Sequence, residues 1–252
     1  MRPRILGVIP ARFASTRFPG KALASLDGRP MIEHVWERAS KSSYLTDLVI
    51  ATDDERIASV ARRFGARVRM TSPHHPTGTD RLAEVASAIE ASLYVNIQGD
   101  EPLINPEAID AAILPLTDEP ELAMGTLRKR IDFADEVQNP NVVKVVTNLA
   151  GDAIYFSRSA IPFERDGREG LPVYYKHIGL YVYRRDLLLK YPDLKVGPLE
   201  EAERLEQLRA LENGFRIRVV DTEYESLGVD TPQDLERVNT IYSLVKSGGV
   251  DA

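Results

Sequence analysis

Three cationic side chains, those of Arg12, Arg17 and Lys21, lie in a short segment that directly follows the first apolar run of the sequence. Guanidinium groups bind phosphate oxygens through paired hydrogen bonds and lysine adds a compact positive charge, so the segment suits a triphosphate. It lacks the residue spacing of a P-loop and the glycine spacing of a dinucleotide-binding loop. The alternative is a solvent-exposed basic loop, which would not require three cations directly after a buried strand.

Two acidic residues could complement this basic segment. Asp100 follows a second apolar run, at residues 93–97, and a carboxylate in that place can hold Mg²⁺ against a triphosphate. Its alternative role is to form a turn or to cap a helix. Asp230 comes shortly before Pro232, which suits the first turn of a helix. For Asp230 taken by itself, capping that helix is the better interpretation.

The elements that would position these residues alternate between strands and helices through the first half of the chain. The predicted strands are residues 4–9, 48–51, 68–70 and 93–97, and the predicted helices are residues 30–40, 54–64, 80–91 and 106–114. This alternation predicts an α/β fold, with a three-layer, open, mostly parallel twisted sheet. Ligands bind at the carboxyl ends of strands in such sheets, which is where the basic segment and Asp100 lie.

The middle of the chain, about residues 122–185, has a different pattern. We expect its strands to form an antiparallel extension of the same domain; they are predicted at residues 122–130, 142–148, 153–157 and 177–183. A helix at 198–213, a strand at 216–220 and a helix at 231–245 follow. The first of these helices carries a leucine-rich stripe, which indicates core or an interface. We expect residues 1–252 to form a single domain.

The composition narrows the classes of function. The chain has 252 residues, a net charge of −6 at pH 7 and no cysteine. The acidic balance argues against nucleic acid or an anionic membrane as a partner, and the lack of cysteine excludes disulfides and thiolate chemistry. The apolar run at residues 5–9 is too short for a signal peptide, and no stretch approaches the roughly 20 apolar residues of a membrane span. We therefore expect a cytoplasmic protein.

Seven segments resemble signatures of the 3-deoxy-manno-octulosonate cytidylyltransferase family, the CMP-Kdo synthetases. They are Ala11-Arg12 through Pro19-Gly20-Lys21, Thr77-Gly78-Thr79-Asp80-Arg81, Gln98-Gly99-Asp100-Glu101-Pro102, Tyr155-Phe156-Ser157-Arg158, His177-Ile178-Gly179-Leu180-Tyr181, Leu205-Glu206-Gln207-Leu208-Arg209 and Gly228-Val229-Asp230-Thr231-Pro232. The first alone would indicate only a nucleotidyltransferase, whereas the related sialic acid synthetases do not carry the later ones in this form. Phe13 replaces a frequent tyrosine and Thr77 a usual serine, and neither change removes a charge or a metal ligand.

The resemblance implies a Mg²⁺-dependent reaction of CTP with the eight-carbon sugar acid in lipopolysaccharide biosynthesis, by a homodimer with the Rossmann-like nucleotide-diphospho-sugar transferase fold. It assigns catalysis to Arg12, Lys21 and Asp100, and the metal to Asp100 and Asp230. It assigns nucleotide binding to Pro10, Ala11, Arg12, Ser15, Arg17, Lys21, Thr77, Gly78 and Arg81. It assigns sugar binding to Gln98, Arg158, His177, Tyr181, Glu206 and Gln207. Residues 122–185 are the candidate region for the sugar pocket and the dimer contact.

Several alternatives stay open. The sugar could be an 8-amino analogue or sialic acid, or the protein could bind a nucleotide sugar without turnover. Helical spacing alone would make Glu206 and Gln207 ordinary solvent-facing residues. Arg158 could simply end its strand and pair with an acidic residue such as Glu164.

Overall fold

The computed structural model describes residues 3–14, 18–166 and 173–248. Its strands are β1 (Ile5–Ala11), β2 (Ser25–Leu26), β3 (Arg29–Pro30), β4 (Asp47–Thr52), β5 (Val68–Met70), β6 (Leu93–Asn96), β7 (Met124–Arg130), β8 (Lys144–Thr147), β9 (Ala153–Ser157), β10 (Tyr175–Arg184) and β11 (Ile217–Asp221). The short strands β2 and β3 pair as a separate ribbon. Within the described residues the other nine form one sheet, in the order β11-β7-β10-β6-β1-β4-β5, with β8 paired to β10 and β9 paired to β8.

Most of this sheet is parallel. β1 is parallel to β4 and β6, β4 to β5, and β11 to β7. β10 runs antiparallel between β6 and β7, and the β8–β9 hairpin continues the antiparallel part. The predicted open, mostly parallel sheet with an antiparallel extension is confirmed. The extension is more than an edge, because β7 and β10 lie inside the main sheet.

Helices cover both faces of the sheet. They are α1 (Met31–Ala39), α2 (Glu55–Arg63), α3 (Gly78–Ala88), α4 (Pro106–Asp118), α5 (Ala134–Gln138), α6 (Arg185–Lys190), α7 (Pro198–Glu203), α8 (Gln207–Glu212) and α9 (Pro232–Gly248). The helices α1, α2 and α4 bury apolar side chains in one core layer, and α3, α6 and α8 do so in the other. None of the helices in the described ranges is both long enough and apolar enough to cross a membrane.

The first strand shows why the sequence reads as a continuous apolar run. Successive side chains of a strand point to opposite faces, so Ile5 and Ile9 enter one core layer while Leu6 and Val8 enter the other. A strand covered on both faces requires apolar residues at every position. This strand therefore holds its carboxyl end rigidly where the basic segment begins.

The single helix predicted at residues 198–213 is wrong. The chain forms α7 and α8 instead, separated at Arg204, which has a left-handed φ of 54°. An L-residue in that conformation cannot continue a right-handed helix. The expected leucine stripe is divided as a result: Leu208 is fully buried, whereas Leu199 is 41% exposed.

A long-range contact holds this break in place. The Glu203 carboxylate accepts hydrogen bonds from the Ser157 hydroxyl at 2.6 Å and from the Arg158 amide at 2.9 Å. Both donors lie at the end of β9, about 45 residues earlier in the chain. The helical periodicity of the sequence does not indicate such a partner. The sequence pattern also did not predict the short helices α5 and α6.

Candidate active site

The basic segment after β1 folds back on itself. The Gly20 amide donates a hydrogen bond to the Phe13 carbonyl at 2.9 Å, and Gly20 has a φ of 71°. A Cβ on Gly20 would lie 3.0 Å from the Phe13 ring, so glycine suits both the conformation and the contact. The 3₁₀ turn Lys21–Leu23 follows directly. Of the predicted phosphate ligands, Arg12 is exposed, while Ser15 and Arg17 lie outside the described residues.

The Lys21 ammonium joins the two predicted metal carboxylates. It donates hydrogen bonds to Oδ2 of Asp100 and, over 3.1 Å, to Oδ1 of Asp230. A third goes to the Val229 carbonyl at 3.2 Å. Burial lowers the pKa of Lys21, but the two carboxylates outweigh this effect and the pKa is raised above its ordinary value. Lys21 is therefore a charged ammonium at neutral pH.

Thr231, not Asp230, caps α9. The Thr231 hydroxyl accepts a hydrogen bond from the Asp234 amide at 3.2 Å, and the Asp234 carboxylate accepts one from the Thr231 amide at 2.8 Å. This reciprocal pair is a capping box. The Asp230 side chain reaches Lys21 instead. The capping role that Asp230 suggests in isolation is thus filled by its neighbour.

Asp100 enters the site because the loop after β6 lies directly on β1. A Cβ on Gly99 would lie 2.6 Å from the Pro10 carbonyl oxygen, so no side chain fits at that position. On its other side, the Val229 amide donates to the Asp100 carbonyl at 2.8 Å. Three segments far apart in the sequence are therefore fastened together around Lys21.

The start of α3 forms another wall of the site. Thr77 and Asp80 make a capping box there. The positive end of the helix dipole lies at Gly78, the first residue of α3. Arg81 is 3% exposed; its guanidinium donates to the Thr71 hydroxyl and, over 3.2 Å, to Oδ2 of Asp53. Arg81 is thus held in one orientation by protein partners.

These segments enclose a cleft of about 430 Å³. Its lining residues are Pro10, Ala11, Arg12, Ala14, Lys21, Ala22, Thr77, Gly78, Arg81, Gln98, Gly99, Asp100 and Asp230. The structure brings together here every described residue that the sequence assigned to nucleotide or metal. The sequence pattern indicated no role for Ala14, Ala22 or Gly99. Ala14 and Gly99 each lie inside one of the seven segments that resemble the family, whereas Ala22 lies outside all of them.

Gln98 is the one predicted sugar-binding residue that lines this cleft. Its amide nitrogen donates to the Gly179 carbonyl at 2.9 Å. The pairing of β10 with β7 is irregular between Ile178 and Tyr181, a feature that redirects side chains in a sheet. His177 and Tyr181 flank this irregularity, with their ring centroids 5.3 Å apart. These three predicted sugar residues therefore meet around one short stretch of β10.

The His177 imidazole is uncharged at neutral pH. Burial lowers its pKa to about 3. Its Nε2 lies 2.9 Å from the Thr126 hydroxyl oxygen, and the Phe156 ring packs against it edge to face at 5.0 Å. A group with this pKa can form hydrogen bonds to a ligand but is a weak base. His177 is therefore suited to recognition, not to proton abstraction.

Glu206 and Gln207 lie at the start of α8, where the break after α7 turns them inward. The Glu206 carboxylate lies 3.4 Å from the hydroxyl of Thr77, which lines the cleft. Burial raises the pKa of Glu206, and Gln207 is only 4% exposed. The expectation from helical spacing alone, that both face solvent, is wrong for the same reason that the single helix is wrong.

Arg158 is bound to backbone carbonyls. Its guanidinium donates to the carbonyl of Glu203 at 2.7 Å, that of Pro140 at 3.0 Å and that of Arg204 at 3.5 Å. Among the described residues, the hydrogen-bond acceptors of this guanidinium are these three carbonyls. Arg158 is thus attached to the junction of α7 and α8, the same junction that turns Glu206 and Gln207 inward.

A mostly parallel sheet that brings cationic side chains and two carboxylates to one cleft is the arrangement of a nucleotidyltransferase. The family model described as cytidylyltransferase matches residues 6–218. The chain is 66% identical over 242 residues to the 3-deoxy-manno-octulosonate cytidylyltransferase of Solibacter usitatus, covering 96% of each chain. It is 57% identical over 244 residues to the same-named protein of Geobacter metallireducens, covering 93% of this chain and 96% of that one.

A solved structure gives the same result. A CMP:2-keto-3-deoxy-manno-octonic acid synthetase in complex with CTP superposes with a TM-score of 0.91 at 43% identity, covering 95% of this chain and 98% of that one. The chain belongs to the 3-deoxy-manno-octulosonate cytidylyltransferase family.

The contact between Gly99 and Pro10 gives a direct test of the site's geometry. Gly99→Ala should lower kcat/KM for CTP by about 100-fold, because the added methyl group would separate the Asp100 loop from β1 by a fraction of an ångström or more. Gly228→Ala adds the same group where nothing lies within 4 Å and should leave kcat/KM within about 3-fold. Steady-state kinetics on both variants would decide; equal effects would show that the close approach is unimportant.

Proposed function

We propose that the protein transfers CMP from CTP to 3-deoxy-manno-octulosonate and releases pyrophosphate. The observation that carries this proposal is the meeting of Lys21, Asp100 and Asp230 at one cleft. The names of the relatives support the octulosonate as the sugar acid that accepts CMP. The complex of the similar synthetase with CTP supports CTP as the nucleotide. Two carboxylates beside a cationic loop favour catalysis over binding alone, since simple binding of a triphosphate does not call for them.

The nucleotide would lie along the carboxyl end of β1. We assign its phosphates to Arg12 and Lys21, and we assign Ser15 and Arg17 to the same group on the family resemblance. Cationic side chains held in place before the reaction stabilise the charge that develops as pyrophosphate leaves. The nucleoside would contact Pro10, Ala11, Thr77, Gly78 and Arg81, all of which line the cleft.

The residues present fit a Mg²⁺ ion. Asp100 and Asp230 lie close enough for a single ammonium to contact both carboxylates. No group of three or more potential ligands occurs among the described residues, and Mg²⁺ typically uses one or two carboxylates together with substrate phosphates. Bound there, the ion would supply charge neutralisation at the phosphates and would lower the pKa of a coordinated hydroxyl.

Lys21 has a second role in this proposal. Its ammonium neutralises the two carboxylates in the structure. A triphosphate offers this ammonium a more highly charged partner, so we infer that Lys21 moves toward the phosphates when CTP binds. The carboxylates would then be available to a divalent cation. Nucleotide and metal would consequently bind together.

The reaction itself needs positioning more than acid–base chemistry from the protein. The anomeric 2-hydroxyl oxygen of the sugar acid forms a bond to the α-phosphorus, and the bond from that phosphorus to pyrophosphate breaks. Holding these two groups in line accounts for a large part of the rate of such a transfer. His177, with its pKa of about 3, would not remove the hydroxyl proton at neutral pH.

The sugar acid would lie against Gln98, His177, Tyr181, Glu206 and Gln207, with its carboxylate on Arg158. In this proposal the Arg158 guanidinium exchanges a backbone carbonyl for the sugar carboxylate. That exchange is favourable, because a carboxylate forms the stronger, charge-assisted contact with a guanidinium.

Residues 122–185 would also provide a dimer contact. Strand β9 pairs along its length with β8 alone among the described strands, and Leu149, Ile154 and Phe163 in or near it are at least 60% exposed. Apolar side chains beside an open strand edge favour association with another chain. We propose a single-domain homodimer that acts in the cytoplasm, in lipopolysaccharide biosynthesis.

The two carboxylates test the proposed activity. Asp100→Asn and Asp230→Asn should each lower turnover of CTP with the octulosonate by about 100-fold or more, because each removes a charge at the reacting phosphate. Asp234→Asn is the matched control, since it changes a carboxylate of the capping box beside Asp230. It should lower the melting temperature and leave turnover within about 3-fold.

Pyrophosphate release, measured with Mg²⁺ and with EDTA over a panel of nucleotides and sugar acids, provides the readout. Preference for another sugar acid would show that the octulosonate is not the preferred substrate. Equal turnover with ATP would show that the site does not select cytidine. No turnover with any acidic sugar would indicate a binding protein. Preserved turnover in Asp230→Asn would remove the metal assignment.

Arg158 provides a separate test of the sugar pocket. Arg158→Ala should raise the KM for the sugar acid by about 30-fold or more while changing the KM for CTP less than 3-fold, because loss of one partner of a charge pair typically costs about 2–5 kcal/mol. Steady-state kinetics with each substrate varied in turn would measure both constants. If Arg158 serves only to fasten the α7–α8 junction, both constants would shift together or neither would change.

A further inference from the structure

A buried carboxylate, that of Glu101, directly follows Asp100 in the chain and lies outside the cleft. Glu101 is 7% exposed and lies in the loop after β6, pointing away from the cleft, whose lining does not include it. Its Oε2 accepts a hydrogen bond from the Tyr224 hydroxyl at 2.9 Å. A buried carboxylate persists in a fold only when partners of this kind satisfy it.

Tyr224 belongs to the segment that carries Asp230. Residues 222–230 connect β11 to α9 and have no helical or strand hydrogen bonding of their own. Side-chain and isolated backbone contacts therefore fix their path. Two hydrogen bonds join this segment to the Asp100 loop: the Tyr224 hydroxyl donates to the Glu101 carboxylate, and the Val229 amide donates to the Asp100 carbonyl.

We propose that Glu101 is a positioning residue that sets the separation of the Asp100 and Asp230 carboxylates. The Asp100 loop is rigidly seated, because it follows the buried strand β6 and lies on Pro10. The Asp230 segment has no such strand beneath it. The Glu101–Tyr224 hydrogen bond fixes the position of the Asp230 segment relative to the rigid Asp100 loop. This inference rests on the proposed role of the two carboxylates in holding a divalent cation with CTP.

Tyr224→Phe removes one hydroxyl and keeps the shape of the side chain. Tyr94→Phe is the matched control: Tyr94 is fully buried, and its hydroxyl donates to the Ile89 carbonyl at 2.6 Å, outside the cleft. Calorimetry would measure CTP binding to each protein, in Mg²⁺ and in EDTA, without the sugar acid. The ratio of the two dissociation constants gives the contribution of the metal to CTP binding.

For the wild-type protein we expect tighter CTP binding in Mg²⁺ than in EDTA. Tyr224→Phe should reduce this ratio by about 10-fold, the usual effect of losing a group that orients metal ligands, with binding in EDTA changed less than 2-fold. Tyr94→Phe should leave the ratio unchanged. Glu101→Gln keeps an oxygen that accepts the Tyr224 hydrogen bond, so its ratio should stay within about 2-fold of the wild-type ratio. Glu101→Ala should reduce the ratio by as much as Tyr224→Phe does.

The experiment distinguishes a failure of the proposed metal role from a failure of the positioning role of Glu101. Equal CTP binding in Mg²⁺ and EDTA by the wild-type protein would overturn the proposed metal role, and the positioning role with it. A wild-type ratio that Tyr224→Phe and Glu101→Ala leave intact would overturn the positioning role alone. A double variant, Glu101→Ala with Tyr224→Phe, should be no worse than Glu101→Ala, since both changes remove one bond. Additive losses would contradict the inference.

Discussion

The contact of one ammonium with two carboxylates is the constraint around which the rest of the site is arranged. Lys21, Asp100 and Asp230 come from widely separated parts of the chain. Two carboxylates this close repel each other unless a cation lies between them. The structure must therefore bring three loops to one point and keep the charges balanced while it does so. The Lys21 ammonium provides that balance.

The sheet makes this convergence possible. β1 and β6 are parallel neighbours, so their carboxyl ends lie side by side and their loops meet. Gly99 allows the second loop to touch the first. The antiparallel strand β10 follows next to β6, and its irregular pairing places His177 and Tyr181 beside Gln98. The residues proposed to bind the nucleotide and those proposed to bind the sugar thus adjoin, because the parallel and antiparallel parts of the sheet meet at β6.

Much of the fold and of the cleft could be predicted from the sequence. Strands β5 and β9 have the predicted bounds, and most other strands begin and end within two residues of prediction. In β1, β4 and β6 burial on both faces leaves a plain apolar run in the sequence. The cleft residues could be placed together because the ends of parallel strands share one edge of the sheet. The resemblance to a family supplied the roles proposed for Asp230 and for the residues of the sugar pocket, which periodicity alone did not suggest.

What the sequence did not reveal depends on partners far along the chain. The left-handed Arg204 and the bond from Glu203 to the end of β9 divide a segment whose periodicity predicts one helix. The buried bond between Glu101 and Tyr224 joins residues 123 positions apart. Lys21 was assigned to phosphate, and nothing local indicated that its ammonium would lie between two carboxylates. Such contacts join residues that are distant in the sequence and leave no local pattern in it.

The most direct test of the central role of Lys21 is the binding of Mn²⁺ to nucleotide-free protein, followed by the paramagnetic resonance signal of the free ion. Lys21→Met removes the charge that neutralises Asp100 and Asp230. It should therefore bind Mn²⁺ about 10-fold or more tightly than the wild-type protein, and adding Asp100→Asn should abolish the gain. If Lys21→Met bound Mn²⁺ no more tightly than wild type, the two carboxylates would not form the cation site that Lys21 occupies before the nucleotide arrives.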